Sequence, residues 1–69
     1  MAGATRGTVA EFDDAKGWGT VVGDDGVALF FHCTAIADGS RTIVAGTAVT
    51  YEVVPGRQGR YEAAGLTPA

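Results

Sequence analysis

Hydrophobic and polar residues alternate in short stretches along this chain, and glycine- and aspartate-rich segments separate the stretches. The clearest alternation lies in Thr47–Pro55, where Val49, Tyr51 and Val53 fall on one face, because side chains two residues apart share a face of a β-strand. The chain contains eleven glycines, and no window keeps apolar residues at the three- and four-residue spacing of an amphipathic helix. The pattern therefore predicts strands and turns.

Five strands account for the alternating stretches. We predict them at Arg6–Phe12, Trp18–Gly23, Val27–His32, Thr47–Pro55 and Arg60–Leu66. Polar turns at residues 13–17, 24–26 and 56–59 connect them, and a long connection at residues 33–46 holds at most one helical turn, at Thr34–Ala37. Five short strands with this spacing predict an all-β fold, a small closed or nearly closed barrel. We expect a single domain over residues 1–69, with its core at about residues 5–67.

The composition is that of a small acidic protein without crosslinks. The chain has 69 residues, a formal net charge of −3 and one cysteine, Cys33. A lone thiol excludes an internal disulfide and fits a reducing cytoplasm. The N-terminus lacks the apolar run of a signal peptide, and no apolar stretch approaches the roughly 20 residues of a membrane span. We therefore expect a cytoplasmic protein with no membrane association, and the charge argues against non-specific binding of nucleic acid over the whole surface.

The second and third predicted strands expose aromatic side chains. Leu29 and Phe31 form the natural core pair of the third strand, which leaves Phe30 and His32 on the outside. A hairpin between these strands brings Trp18 close to both. Trp18 taken alone is more often a core residue, but its two flanking glycines leave room for a flat ligand. An exposed aromatic cluster on a small barrel indicates a binding surface.

Two motifs in this region resemble those of cold-shock domains. The stretch KGWGTVV (Lys16–Val22) resembles their first ribonucleoprotein motif, and LFFHCTAI (Leu29–Ile36) resembles the second. GTVAEFDDA (Gly7–Ala15) stands where the family has its first strand, and AGTAVTYEVVPGRQG (Ala45–Gly59) resembles the fourth strand and its turn. The resemblance implies a five-stranded antiparallel OB-fold barrel that binds single-stranded DNA or RNA. Bases would stack on aromatic side chains of the second and third strands.

The resemblance also implies a set of binding residues. Lys16 would lie beside a phosphate or a base, and Trp18 stands where the family has a stacking Phe. Phe30 and His32 match stacking positions directly, and Phe12 matches an aromatic residue that flanks them. Possible additional contacts come from four other residues: Thr20, Arg57, Arg60 and Tyr61.

The sequence departs from the family pattern at several binding positions. Ala10 and Glu11 stand where the family has a Lys-Trp pair. Three further positions have lost a Phe: Thr20, Cys33 and Ser40. The core positions and turn glycines match the family, so we expect the barrel to be retained. Losing two stacking contacts at roughly 1 kcal/mol each would weaken single-strand binding on the order of 30-fold.

The function expected from these features is binding of single-stranded RNA or DNA by a monomer, with no cofactor. The family suggests an RNA chaperone or a modulator of transcription or translation under stress. A protein-interaction domain that has lost most of its nucleic-acid affinity stays open as the alternative. The missing aromatic residues and the acidic balance favour that alternative, because both weaken contacts with a polyanion.

A catalytic or metal site is not expected. If the third strand continues through Cys33, the side chains of His32 and Cys33 point to opposite faces and are poorly placed as base and nucleophile. If the strand ends at His32, alternation separates the two side chains less strictly, but the sequence offers no third residue to orient the pair. One histidine and one cysteine cannot complete a closed zinc site. The acidic pairs Asp13–Asp14 and Asp24–Asp25 fall in predicted turns, where aspartate is favoured for backbone reasons.

Overall fold

A computed structural model describes residues 4–56 and 59–69 of the chain. It contains five strands: β1 Thr5–Asp13, β2 Trp18–Gly23, β3 Ala28–His32, β4 Ala48–Pro55 and β5 Tyr61–Pro68. One 3₁₀ turn, Cys33–Ala35, follows β3, one residue earlier than the predicted helical turn. The all-β prediction is confirmed, and β5 runs two residues further than predicted. Within the described ranges, no helix is long and apolar enough to cross a membrane.

The strands close into a barrel in the order β1-β2-β3-β5-β4, and β4 returns to pair with β1. The predicted antiparallel arrangement holds for the pairs β1–β2, β2–β3, β1–β4 and β4–β5. The β3–β5 pair is parallel, with Phe30 opposite Glu62. Closure gives each strand two neighbours, which satisfies backbone groups that a sheet edge would leave open.

The barrel interior is filled by one apolar cluster. Phe31 is fully buried, as predicted, and Leu29 is half-buried and packs against the same cluster. Tyr51 and Val49 of β4 also point inward. The buried residues of the described chain are Val9, Val21, Phe31, Ile36, Val49, Tyr51, Ala63 and Leu66.

Val53 is predicted to share one face of β4 with Val49 and Tyr51, but it is not buried. It pairs with the buried Ala63, and directly paired antiparallel residues share a face. Val53 therefore keeps the predicted face together with Val49 and Tyr51. Its side chain is nevertheless 48% exposed, so the core ends before it.

Two β-bulges change which residues of β1 and β5 face inward. In β1, Val9 pairs with Val21 while Glu11 pairs with Thr20, so Ala10 is the extra residue. As a result the inward positions of β1 are three residues apart, at Val9 and Phe12.

The bulge in β5 is built around a glycine. Thr50 pairs with Thr67 and Glu52 with Ala64, which leaves two residues of β5 opposite one of β4. Gly65 adopts a φ of 63°, a conformation that costs glycine little. Ala63 and Leu66 can then both be buried although they are three residues apart.

Candidate nucleic-acid interface

The uninterrupted register of the β2–β3 hairpin brings the predicted aromatic residues onto one outer face. Trp18 pairs with His32, and Thr20 pairs with Phe30. Because Gly19 and Phe31 lie between them and point inward, all four of these side chains lie on the outside of the barrel. Trp18 and Phe30 are half-buried and His32 is exposed.

The rings of Trp18, Phe30 and His32 touch one another and form what we call the aromatic cluster. The centroids of Trp18 and Phe30 are 5.3 Å apart with their planes tilted by 40°. Phe30 and His32 meet edge to face at 4.8 Å and 90°. Both separations lie in the range of favourable aromatic pairs, so the rings hold each other in place. The cluster offers flat, partly exposed surfaces on which a planar ligand can stack.

Lys16 lies at the edge of the aromatic cluster. Its Nζ is 5.6 Å from the ring centroid of Trp18, within the range of a cation–π contact. The β1–β2 turn fixes the backbone of Lys16, because its N–H donates to Asp13 Oδ1 at 3.0 Å. Gly17 completes the turn with a φ of 76° and donates its N–H to the Asp13 carbonyl at 2.8 Å. The exposed Lys16 thus places an ammonium beside the aromatic cluster.

Phe12 lies on the other side of the sheet from the aromatic cluster. Its ring stacks on the core residue Phe31 at 5.8 Å and 9°. Gly19 of β2 lies between Phe12 of β1 and Phe31 of β3. A Cβ added to Gly19 would come within 3.0 Å of the Phe12 ring. Phe12 is half-buried and packs against the core. A role for its exposed part in ligand binding stays a prediction.

The possible additional contacts fall in different places. Thr20 lies beside Phe30 on the face of the aromatic cluster. Tyr61 lies one residue before Glu62, which pairs with Phe30. Neighbouring residues of a strand point to opposite faces, so Tyr61, although 63% exposed, points away from the face of the aromatic cluster. Two arginines complete the predicted set: Arg60 is exposed just before β5, and Arg57 lies outside the described residues.

Acidic side chains flank the aromatic cluster. Glu11 pairs with Thr20, and Asp13 pairs with Trp18. Glu62 lies beside Phe30 on β5. The sequence indicates only Glu11 as an acidic neighbour, since the other two positions depend on the register of β1 with β2 and on the parallel β3–β5 pair. Their charges work against phosphate contacts, and they oppose the positive charge of Lys16 beside Trp18.

β3 ends at His32, so Cys33 does not lie on the strand and the alternation of side chains along a strand does not apply to this pair. His32 packs on Phe30, whereas Cys33 begins the 3₁₀ turn and donates its backbone N–H to the Gly17 carbonyl at 2.8 Å. The Cys33 thiol lies beneath the β1–β2 turn, 3.3 Å from where a Cβ on Gly17 would stand. Among residues 4–56 and 59–69, no three His, Cys, Asp or Glu side chains are grouped to hold a metal ion.

Comparison with known proteins identifies similar sequences along most of the chain. The "Cold-shock" DNA-binding domain family matches residues 5–69. Cold shock protein 2 of Lactiplantibacillus plantarum is 43% identical over 55 residues, which cover 78% of this chain and 83% of that protein. Cold shock-like protein CspD of Vibrio cholerae is 39% identical over 70 residues, covering 99% and 91%. Cold shock protein CspB of Bacillus caldolyticus is 38% identical over 55 residues, covering 78% and 83%.

Proposed function

Since this chain belongs to the cold-shock DNA-binding domain family, we propose that it binds single-stranded RNA or DNA by stacking bases on the aromatic cluster. The observation that carries the proposal is the contact of three partly exposed rings, Trp18, Phe30 and His32, on one outer face. Stacking of a base on an aromatic side chain contributes about 1–3 kcal/mol and tolerates any base. A duplex keeps its bases stacked on each other, so only a single strand can use this surface.

The proposed binding is weak and reversible. The cluster has fewer rings than the family pattern, and Lys16 is accompanied by three carboxylates on the same face: Glu11, Asp13 and Glu62. Weak, sequence-tolerant binding suits an RNA chaperone, which must release the strand after opening its structure. A modulator of transcription or translation under stress would use the same surface. We place the protein in the cytoplasm as a monomer.

A titration of the intrinsic fluorescence tests this function. Trp18 is the only tryptophan of the chain and belongs to the aromatic cluster, so a base stacked there should quench it. The titrant is a short single strand that contains all four bases, compared with the matched duplex. We expect saturable quenching by the single strand alone, and the quenching should weaken as salt rises because bound counterions are released.

The same titration separates the protein-interaction alternative. A folded protein whose fluorescence does not change up to high micromolar strand would rule out the stacking function. The exposed rings would then be available to an apolar protein partner, whose binding does not weaken with salt in this way. Circular dichroism of the same sample checks that the barrel is folded.

A further inference from the structure

One row of outer-face side chains places a carboxylate beside the stacking surface. Glu11 pairs with Thr20 across β1 and β2, and Thr20 pairs with Phe30 across β2 and β3. We propose that Glu11 gives the interface a preference for bases that carry an exocyclic amino group, such as cytosine, over uracil and thymine. This inference rests on the proposed single-strand binding, and it names the base class which that surface selects.

The spacing of the row allows Glu11 to reach the edge of a base. Neighbouring strands are about 4.8 Å apart, so the backbones of Glu11 and Phe30 are separated by about 10 Å. A base stacked on Phe30 and extended towards β1 would lie over β2, where the short side chain of Thr20 stands beside Phe30. Glu11 is exposed on the far side of Thr20 and can extend its side chain towards the base.

The chemistry of a carboxylate then selects among bases. An ionised carboxylate only accepts hydrogen bonds. Cytosine presents an amino donor at N4, and adenine presents one at N6, whereas thymine and uracil present an acceptor oxygen at the matching position. The carboxylate of Glu11 would repel the acceptor oxygen of uracil. Each of the two oxygens would also lose a hydrogen bond from water, which costs free energy.

Glu11 is better placed for this role than the other acidic residues of the face. The Asp13 carboxylate already accepts the backbone N–H of Lys16 in the β1–β2 turn. The Glu62 side chain covers Gly56, since a Cβ added there would lie 2.5 Å from Glu62 Cγ. Glu11 stands on the strand itself with an exposed side chain. Glu11 is therefore the exposed carboxylate that lies in one row with Thr20 and Phe30.

The test compares short oligodeoxycytidine with oligodeoxyuridine of equal length at mildly alkaline pH, with Trp18 fluorescence as the readout. The two bases have the same ring size, so stacking is closely matched and the ratio of the two Kd values reports the polar edge. We expect cytosine to bind about fivefold more tightly. Glu11→Gln should bring the ratio to within about twofold, because an amide can donate as well as accept.

Glu52→Gln is the matched control. Glu52 is an exposed residue of β4, a strand that does not pair with β2 or β3 in the described barrel. Its substitution removes the same charge, so both Kd values should shift together and the cytosine preference should remain. Because Glu11 and Glu52 are exposed, neither substitution removes a core contact, and thermal unfolding of both variants verifies this.

The outcomes separate the two proposals. If neither oligonucleotide quenches Trp18, the stacking function fails and the inference about Glu11 fails with it. If both bind equally well to the wild-type protein, the function stands and the role of Glu11 is refuted. A cytosine preference that survives Glu11→Gln also overturns that role. A preference lost in Glu11→Gln and kept in Glu52→Gln supports it.

Discussion

Gly19 lies between the outer face that carries the aromatic cluster and the core of the barrel. It lies between Glu11 and Phe12 on one side and Phe31 on the other, and a Cβ there would press on the backbone of β1. Without a side chain at this position, Phe12 can lie over β2 and stack on Phe31. The next residues along the strand, Trp18 and Thr20, then point outward. Gly19 therefore serves the packing of Phe12 against the core.

Phe30 is the central ring of the aromatic cluster, and its removal should weaken binding most clearly. Phe30→Ala deletes a stacking surface worth about 1–3 kcal/mol, so we expect single-strand affinity to fall about 5- to 150-fold. Tyr61→Ala is the matched control, since Tyr61 is an aromatic residue 63% exposed on the opposite face. Its Kd should stay within about twofold. Equal losses in the two variants would contradict the assignment of binding to this face.

Ionisation of Tyr51 should make the free energy of unfolding fall as pH rises in the alkaline range. Burial of the phenol raises the pKa of Tyr51 above its ordinary value, and the nearby charges of Asp25 and Asp24 add to the shift. The folded state therefore holds this proton more tightly than the unfolded chain. The resulting stabilisation is complete below a pH of about 10, the ordinary pKa of tyrosine, and is lost as pH rises through the folded pKa.

The Tyr51→Phe substitution tests this dependence. The variant keeps the buried ring and removes the ionisable group, so its free energy of unfolding should fall less steeply on the alkaline side than that of the wild-type protein. Urea unfolding measured at neutral and alkaline pH gives the two slopes. A decline of the same size in both proteins would assign the alkaline loss to other groups.

At the scale of the strand, the sequence predicts which side chains face outward wherever the strands alternate without interruption. The β2–β3 hairpin pairs without interruption from Trp18–His32 to Val22–Ala28, so counting by two places every side chain of the aromatic cluster correctly. In β1 the same count fails after Val9, because the bulge at Ala10 moves Phe12 to the inner face and Glu11 to the outer one. A bulge depends on the partner strand and leaves no periodic signal in its own.

The acidic surroundings of the aromatic cluster escape sequence analysis for a similar reason. Glu62 lies next to Phe30 only because β3 and β5 run parallel, and these residues are 32 positions apart in the chain. The resemblance to cold-shock domains supplies the barrel, but strand register decides which charges meet which rings. The position of Trp18, Phe30 and His32 on one outer face was therefore predictable from the sequence, whereas most of their electrostatic environment was not.

The bulge in β5 should be sensitive to a side chain at Gly65. Its φ of 63° is strained for most L-residues, while no atom lies within 4 Å of an added Cβ. Gly65→Ala should therefore destabilise the barrel by about 1 kcal/mol through backbone strain alone. Gly65→Asn should cost less, because asparagine tolerates this conformation better. Urea unfolding measures the free energy of unfolding of both variants. An alanine variant as stable as the wild type would contradict the strained conformation assigned to residue 65 in the bulge.

At the scale of the whole molecule, the charge distribution sets how the protein responds to salt. The net charge of −3 provides no general attraction for a polyanion, so phosphate contacts must come from a few local cations. Each phosphate neutralised on a single strand contributes about −0.7 to the slope of log K against log salt. With Lys16 and at most two other cations engaged, we expect a shallow slope between about −0.7 and −2.

Lys16 is the cation whose contribution to that slope can be isolated. Its ammonium lies 5.6 Å from the ring centroid of Trp18, so a single strand that stacks on the cluster as proposed would pass a phosphate close to it. Lys16→Gln should make the slope shallower by about 0.7 and weaken binding mainly at low salt. Arg6→Gln removes the same charge from the opposite end of β1, where Arg6 pairs with Thr50 of β4, and should leave the slope unchanged. Titrations of both variants over a range of salt concentrations distinguish a local phosphate contact from an effect of net charge. An equal change of slope in both variants would mean that charge acts through the whole molecule and that Lys16 makes no specific phosphate contact.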